Sequence, residues 1–313
     1  DELTTEEAKH ILGVQGNLWG ESMQKPYDHN YMLFPRLFAI AEVGWTAYEQ
    51  KDYNDFISRT EYAFNRLDAM NVNYAPSMYN VTIKHEGNIL SSDLHLSLLA
   101  DVENIDIHYT VDGSNPTTKS TLFTDAFPVT ITSTIKAQAF KNGEAVGRIS
   151  SKTIDLHKAA GKKVIYHISP NKKYNISNLN LTDGIRGSAD YTKDLWTAFR
   201  GCDMDLEIDL SKEENISTIT ASFLHSTGSW IFLPVNVVFE ISTDGKTFTE
   251  IGKVDYSDIA FQPGKYLKEC TISFTEQKVR FIRVKAESMK VNPQWHAAKG
   301  GENWIFIDEV IVN

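Results

Sequence analysis

From about residue 77 onward the apolar residues fall on every second position, and no other feature narrows the fold as far. Ile105, Ile107, Tyr109 and Val111 alternate with Asp106, His108 and Thr110, and "TITSTIKAQAF" repeats the rhythm. A period of two sends neighbouring side chains to opposite faces of a strand, so one face of each segment is built for burial. "DGSNP" and "KNGE" punctuate these runs as tight turns. After the link "DLHKAAGKK", the segments "MDLEIDL", "VVFEISTDGKTF", "KVRFIRVKAES" and "WIFIDEVIVN" keep the same period. Strands without helices between them pair as antiparallel neighbours. This predicts a small sandwich of immunoglobulin-like size over 77–157 and a larger sandwich or jelly roll over 158–313.

Residues 1–76 follow a helical rhythm after one short strand. "NYMLFPRLFAIAEVGWTAY" is apolar nearly all round, and Pro35 suits a first turn. A helix over 31–47 is therefore expected to be buried, with Arg36 and Glu42 paired if they go inside. A second helix is expected over 53–70, ending before Pro76. The apolar surface of this pair exceeds what a soluble monomer usually exposes. Its expected cover is the first sandwich, a second copy of the chain in a homodimer through residues 31–70, or both.

With 313 residues, two or three cores are expected. A net charge of −10 without a Lys/Arg block argues against a nucleic-acid surface, and no apolar run is long enough to span a bilayer. The chain opens on "DELTTEEAKH" without an initiator Met or signal peptide, the start expected of a mature or trimmed product. Cys202 and Cys270 are too few for a disulfide scaffold and sit on the apolar side of strand patterns, so buried free thiols are expected over a single bridge. No His/Cys cluster has zinc spacing. Sequons stand at Asn80, Asn175, Asn180 and Asn215.

"GVQGNLWGESMQ" places Trp19 and Glu21 two apart after an apolar run. On a strand both would point the same way, either as a core Trp beside a surface Glu or as a sugar site. In a sugar site the indole would cover the ring's C–H face and the carboxylate would take its hydroxyls. "ILGVQGNLWGE" followed by "YMLFPRLFAIAEVGWT" resembles the end of the catalytic barrel of glycoside hydrolase family 20, the β-N-acetylhexosaminidases. "IHYTVDGSNPTTKSTLF" with "ITSTIKAQAFKNGEAVG" is similar to the chitobiase/hexosaminidase C-terminal domain. "LTDGIRGSADYTKDLWTAF", "VFEISTDGKTF", "RFIRVKAES" and "WIFIDEVIV" are similar to a factor 5/8 type C, discoidin-like module.

These resemblances imply a mainly β chain in three parts. Residues 1–76 would be a helical remnant of a (β/α)8 barrel, 77–157 an immunoglobulin-like sandwich and 158–313 a discoidin-like jelly roll. They give Trp19 the aromatic wall of the sugar site and Glu21 the hydroxyls on the far side of the ring. They also imply substrate-assisted retaining hydrolysis by an adjacent Asp-Glu pair in a His-x-Gly-Gly-Asp-Glu context. No such motif occurs here: Asp308-Glu309 lies in the final strand, Asp1-Glu2 at the terminus and "GGEN" in a turn. This chain alone is therefore expected to be inactive.

A discoidin-like module that binds sugar does so with loop aromatics and a His or Arg. Here the candidates are Trp295 and His296, then Trp196 and Trp230, with Phe199 and His225 nearby; the bland alternative for Trp230 and Trp304 is packing. Some such modules hold a structural calcium, for which Asp183 and Glu309 are the matching carboxylates; the alternative is an Asx turn at Asp183 and a solvated Glu309. No catalytic cofactor is implied. The expected function is the C-terminal part of a periplasmic or extracellular β-N-acetylhexosaminidase acting on glycans with terminal N-acetylhexosamine. The competing reading is a stand-alone carbohydrate-binding or adhesion module. Membrane-surface binding is weaker, because "GSWIF" has no basic flank.

Overall fold

The computed structural model describes residues 3–20, 23, 25–86, 94–174, 181–192 and 196–313. The chain is mainly β, with most of its helical residues near the N-terminus. Four helices, α1 (Thr5–Ala8), α2 (Pro26–Leu33), α3 (Arg36–Trp45) and α4 (Tyr53–Ala69), precede β1 (Thr82–Glu86), β2 (His95–Leu99), β3 (Asp106–Thr110), β4 (Thr121–Leu122), β5 (Phe127–Pro128), β6 (Ser133–Lys141) and β7 (Glu144–Ile154). Then come β8 (Val164–Tyr166), β9 (Thr197–Arg200), β10 (Met204–Ser226), β11 (Asn236–Ser242), β12 (Thr249–Asp255), α5 (Ser257–Ala260), β13 (Lys265–Glu287) and β14 (Trp304–Val312). The described residues divide into two compact units. One joins residues 1–84 with 98–125 and 136–151; the other joins 85–97 and 126–135 with 152–313.

In the first unit the expected helix over 31–47 is broken. Proline lacks an N–H and disfavours helix at the residue before it, so α2 stops at Leu33 and α3 restarts at Arg36. Arg36 bonds the carbonyl of Met32 at 2.8 Å, and Glu42 is held by the two terminal guanidinium nitrogens of Arg59 at 2.8 and 3.0 Å. α4 is amphipathic: Asp52 caps its start, and Ile57, Thr60, Phe64 and Leu67 are buried. Its apolar face packs on Met78, Tyr79 and Val102, so part of the expected cover comes from the chain itself. α3 has no buried residue. The short strand expected ahead of the helices does not form over the described residues 11–19, since a strand needs edge partners for its N–H and C=O groups. That segment instead rests on α3 through glycines: Gly16 lies against Ile40 and Gly44 against Val14.

The middle strands make a four-stranded sheet, β4-β3-β6-β7, and a three-stranded one, β1-β2-β5. The "KNGE" hairpin joins β6 to β7 with Asn142 at φ 53° and Gly143 at φ 81°, the left-handed pair that a two-residue turn requires.

In the second unit β12-β11-β13-β10-β14-β9 form one hydrogen-bonded sheet, with β8 also on β10. β10 and β13 each run 23 residues and serve two layers. Met204–Asp209 of β10 meets the β13 stretch that carries β11, whereas Thr218–Ser226 pairs with Lys265–Ser273 and, over Ile219–Leu224, with β14. Bulges between Asp209 and Glu214 and between Ile216 and Thr218 turn β10 from one layer into the other. Between the layers lies a core that includes Phe199, Leu206, Phe223, Phe239 and Ile282, all fully buried. Cys202 and Cys270 are free thiols, half-buried and buried respectively.

Candidate functional site

β14 alternates between two clusters, and this builds a site-like surface on the second unit. Ile305 and Ile307 enter the main core, whereas Trp304 and Phe306 join Trp196, Ala198, Leu224 and Ile231 on the other side. Tyr174 and Tyr191 pack edge-on against Phe306, with ring centroids 4.8 and 5.3 Å away. Above them opens a groove of about 390 Å³ lined by Lys173, Tyr174, Tyr191, Trp304 and Phe306 and by the turn Gly228–Ile231. Trp230, on that turn, is 44% exposed and sits at φ 64°, a left-handed conformation rare for a bulky residue. Its N–H donates to the Thr227 carbonyl and its carbonyl accepts from the Trp304 N–H, both at 2.9 Å. The surrounding fold thus holds the strained residue, a condition concentrated at ligand clamps.

The other aromatic candidates lie elsewhere. Trp196 is 2% exposed and forms part of the packing behind the groove. Trp295 is half exposed but does not line the groove. His296 is buried: its Nε2 faces the Thr227 carbonyl at 2.8 Å and its Nδ1 accepts from the Ala298 N–H. His225 is fully buried, with its two nitrogens on the Gln262 carbonyl and the Leu233 N–H. Each imidazole braces a loop and has no nitrogen left for a ligand. Tyr174, Tyr191 and Lys173 were absent from the candidates. No motif marks them, and only the alternation of Trp304 and Phe306 hinted at an aromatic face.

Trp19 is 73% exposed, while Glu21 lies outside the described residues.

A second constellation is interior. The Asp183 carboxyl lies against that of Glu309, which is fully buried. One Glu309 oxygen faces His157 Nε2 at 2.8 Å and accepts the Gly184 N–H at 3.1 Å; the other has no hydrogen-bond partner. Burial, then the nearby Asp308 charge, pushes Asp183 up to about 7. Burial and the charges of Asp183 and Asp308 raise Glu309 well above the carboxylate range, and burial lowers His157 to about 4. Asp308 is answered by Arg186, which also reaches Asp155 at 3.0 Å and Glu269 at 3.0 Å. Glu309 is thus not solvated, and Asp308-Glu309 splits between two polar networks instead of forming an acid pair.

Residues 1–48 match the catalytic domain of glycosyl hydrolase family 20, and residues 86–151 match the chitobiase/beta-hexosaminidase C-terminal domain. The family 20 match thus precedes the match to the C-terminal domain along the chain. Over 123 residues it is 32% identical to a beta-hexosaminidase of Porphyromonas gingivalis, covering 39% of this chain and 16% of that protein. Over 49 residues it is 41% identical to a beta-N-acetylhexosaminidase of Cellulomonas fimi, covering 16% of this chain and 10% of that protein. The chain thus spans less than a fifth of these relatives. Among solved structures, a chitosan-binding module of a chitosanase/glucanase from Paenibacillus sp. IK-5 aligns at 13% identity and TM-score 0.33, covering 50% of this chain and 98% of that one. A CBM32 module from Clostridium perfringens, in complex with GlcNAc-α-1,4-galactose, aligns at 12% identity and TM-score 0.33, covering 50% and 94%.

Proposed function

We propose that this chain is the C-terminal part of a β-N-acetylhexosaminidase, removing terminal N-acetylhexosamine from glycans outside the cytoplasm, and that its jelly roll holds a glycan in the Trp230 groove. The tandem of family 20 segment and hexosaminidase C-terminal domain carries the first half of this reading. The strained, exposed Trp230 on a wall of tyrosines carries the second, since flat rings cover the C–H faces of sugars. Trp19 and Glu21 would act in the complete catalytic barrel, Trp19 against the sugar face and Glu21 on its hydroxyls. The general acid and its Asp partner lie outside this sequence. The chain alone should not turn over a chromogenic N-acetylglucosaminide; turnover abolished by a substitution within residues 1–313 would refute this. In the full-length enzyme Glu21→Gln should lower kcat/KM by about 1–3 kcal/mol of transition-state binding.

A structural calcium belongs to the same reading. The adjacent Asp183 and Glu309 carboxyls, with one buried oxygen unpartnered, suit a hard cation whose charge would offset the burial that disfavours their ionised forms. Among the described residues no three His, Cys, Asp or Glu are placed to hold a metal ion by themselves, so backbone carbonyls would complete the shell. Calcium should raise the melting temperature of the chain and a chelator should reverse it; equal melting in both would remove the ion from the account. The alternative, a carbohydrate-binding module without an enzyme, is favoured by the groove alone. It predicts that the natural full-length protein contains no Asp-Glu pair ahead of Asp1.

A further inference from the structure

The groove's charge is more informative than its shape. Its lining contains one ionised side chain, Lys173, and no carboxylate, although the chain as a whole carries −10. Among the described residues Lys173 has no acidic partner; its ammonium lies 5.1 Å from the centre of the Tyr174 ring. A second cation stands at the rim, where the Arg200 guanidinium covers the Trp304 ring at 5.3 Å while bound to Glu302 at 3.1 Å. Lys173 is exposed and Arg200 is matched by Glu302, so among the described residues the groove carries one uncompensated positive charge on an acidic protein. A neutral sugar has no use for this ammonium, which lacks an acidic partner among the described residues, and a glucosamine-type cation would be repelled by it.

Resting on the glycan-binding reading above, we propose that the Trp230 groove selects an anionic glycan, one carrying a sulfate ester or a uronate carboxylate, with Trp230 and Trp304 against the sugar faces and Lys173 on the anion. The tyrosines leave hydroxyl groups for the remaining polar edges of the ring.

The test compares four probes on the intact 313-residue chain by titration calorimetry. They are chitobiose, its sulfate ester, a hyaluronan tetrasaccharide and the de-N-acetylated diamine of chitobiose. At low salt an anionic probe should bind about threefold to fivefold more tightly than chitobiose, as expected for one exposed ion pair, and the diamine more weakly. The advantage should fade as salt is raised. The sulfate ester and hyaluronan arms separate the two sources of the anion. Lys173→Met should erase the preference of anionic over neutral probes, whereas Trp230→Ala should weaken every probe. Equal binding of neutral and anionic probes, or a preference that survives Lys173→Met, overturns the anionic selection while leaving a glycan site. Binding of no probe, or binding indifferent to Trp230→Ala, overturns the glycan reading itself and the selection with it.

Discussion

The jelly roll and the N-terminal helices are equally rich in large apolar side chains, yet only one of them encloses what it carries. In the jelly roll Phe199, Phe223, Phe232, Phe239 and Phe306 are all at most 1% exposed. In the N-terminal region Leu12 is fully exposed, Trp45 91% and Trp19 73%. The two helices of that region repeat the contrast at smaller scale. α4, with a polar face, finds a complete place to pack; α3, apolar on several faces, finds one side only. Apolar content by itself therefore does not say whether an element is finished. A pattern with one apolar stripe needs one neighbour, and a pattern without a polar side needs several.

The sharpest way to break this comparison is to truncate a large side chain on each side of it. Phe223→Ala should cost about 3–5 kcal/mol in urea unfolding followed by jelly-roll fluorescence, while Trp45→Ala should stay within about 0.5 kcal/mol. Equal losses would mean that α3 is covered in solution, and light scattering would then decide whether a second copy covers it. Next in size is Arg186→Met, which leaves Asp155 and fully buried Asp308 without their cation. A loss of about 3 kcal/mol is expected, because the remaining charge has no water to turn to; a neutral result would show that this interior is wetter than its packing implies. The smallest effect is at the Asp244 turn, where N–H groups of Thr247 and Lys246 hold the carboxylate down at about 2. A lowered folded value contributes stability above the unfolded value of about 4, lost as pH falls through about 2. The melting difference between the native chain and Asp244→Ala should thus be constant above pH 5 and shrink between pH 4 and 2.

The strands, the Asn142-Gly143 turn and the family resemblance were legible because each is written locally, in a period or a dipeptide. The helix over 31–47 was read through Pro35, since its apolar run continues on both sides while the missing N–H interrupts the backbone. The candidate site was less legible. Trp230 announced itself as an aromatic near a turn, but Trp196 and His296 have the same local signature and are packed inward. Lys173, Tyr191, Trp230 and Trp304 come from four separate parts of the chain, and nothing local shows that β10 and β14 bring them to one place. Sequence alone offers Glu309 as a metal ligand or a solvated side chain; its burial against His157 depends on a residue 152 positions away.

That β10 and β13 belong to both layers has a consequence for how the jelly roll can open. In a sandwich of separate sheets, one layer can fray while the other keeps its protons. Here neither layer can detach without dragging the same two strands out of the other, so partial opening has no natural seam. Amide hydrogen exchange at Leu206, Ile208, Ala221 and Phe223 should therefore converge on a single slow rate. The groove would then lose its shape only when the whole jelly roll unfolds, which keeps Trp230 and Trp304 in register for as long as the domain is folded.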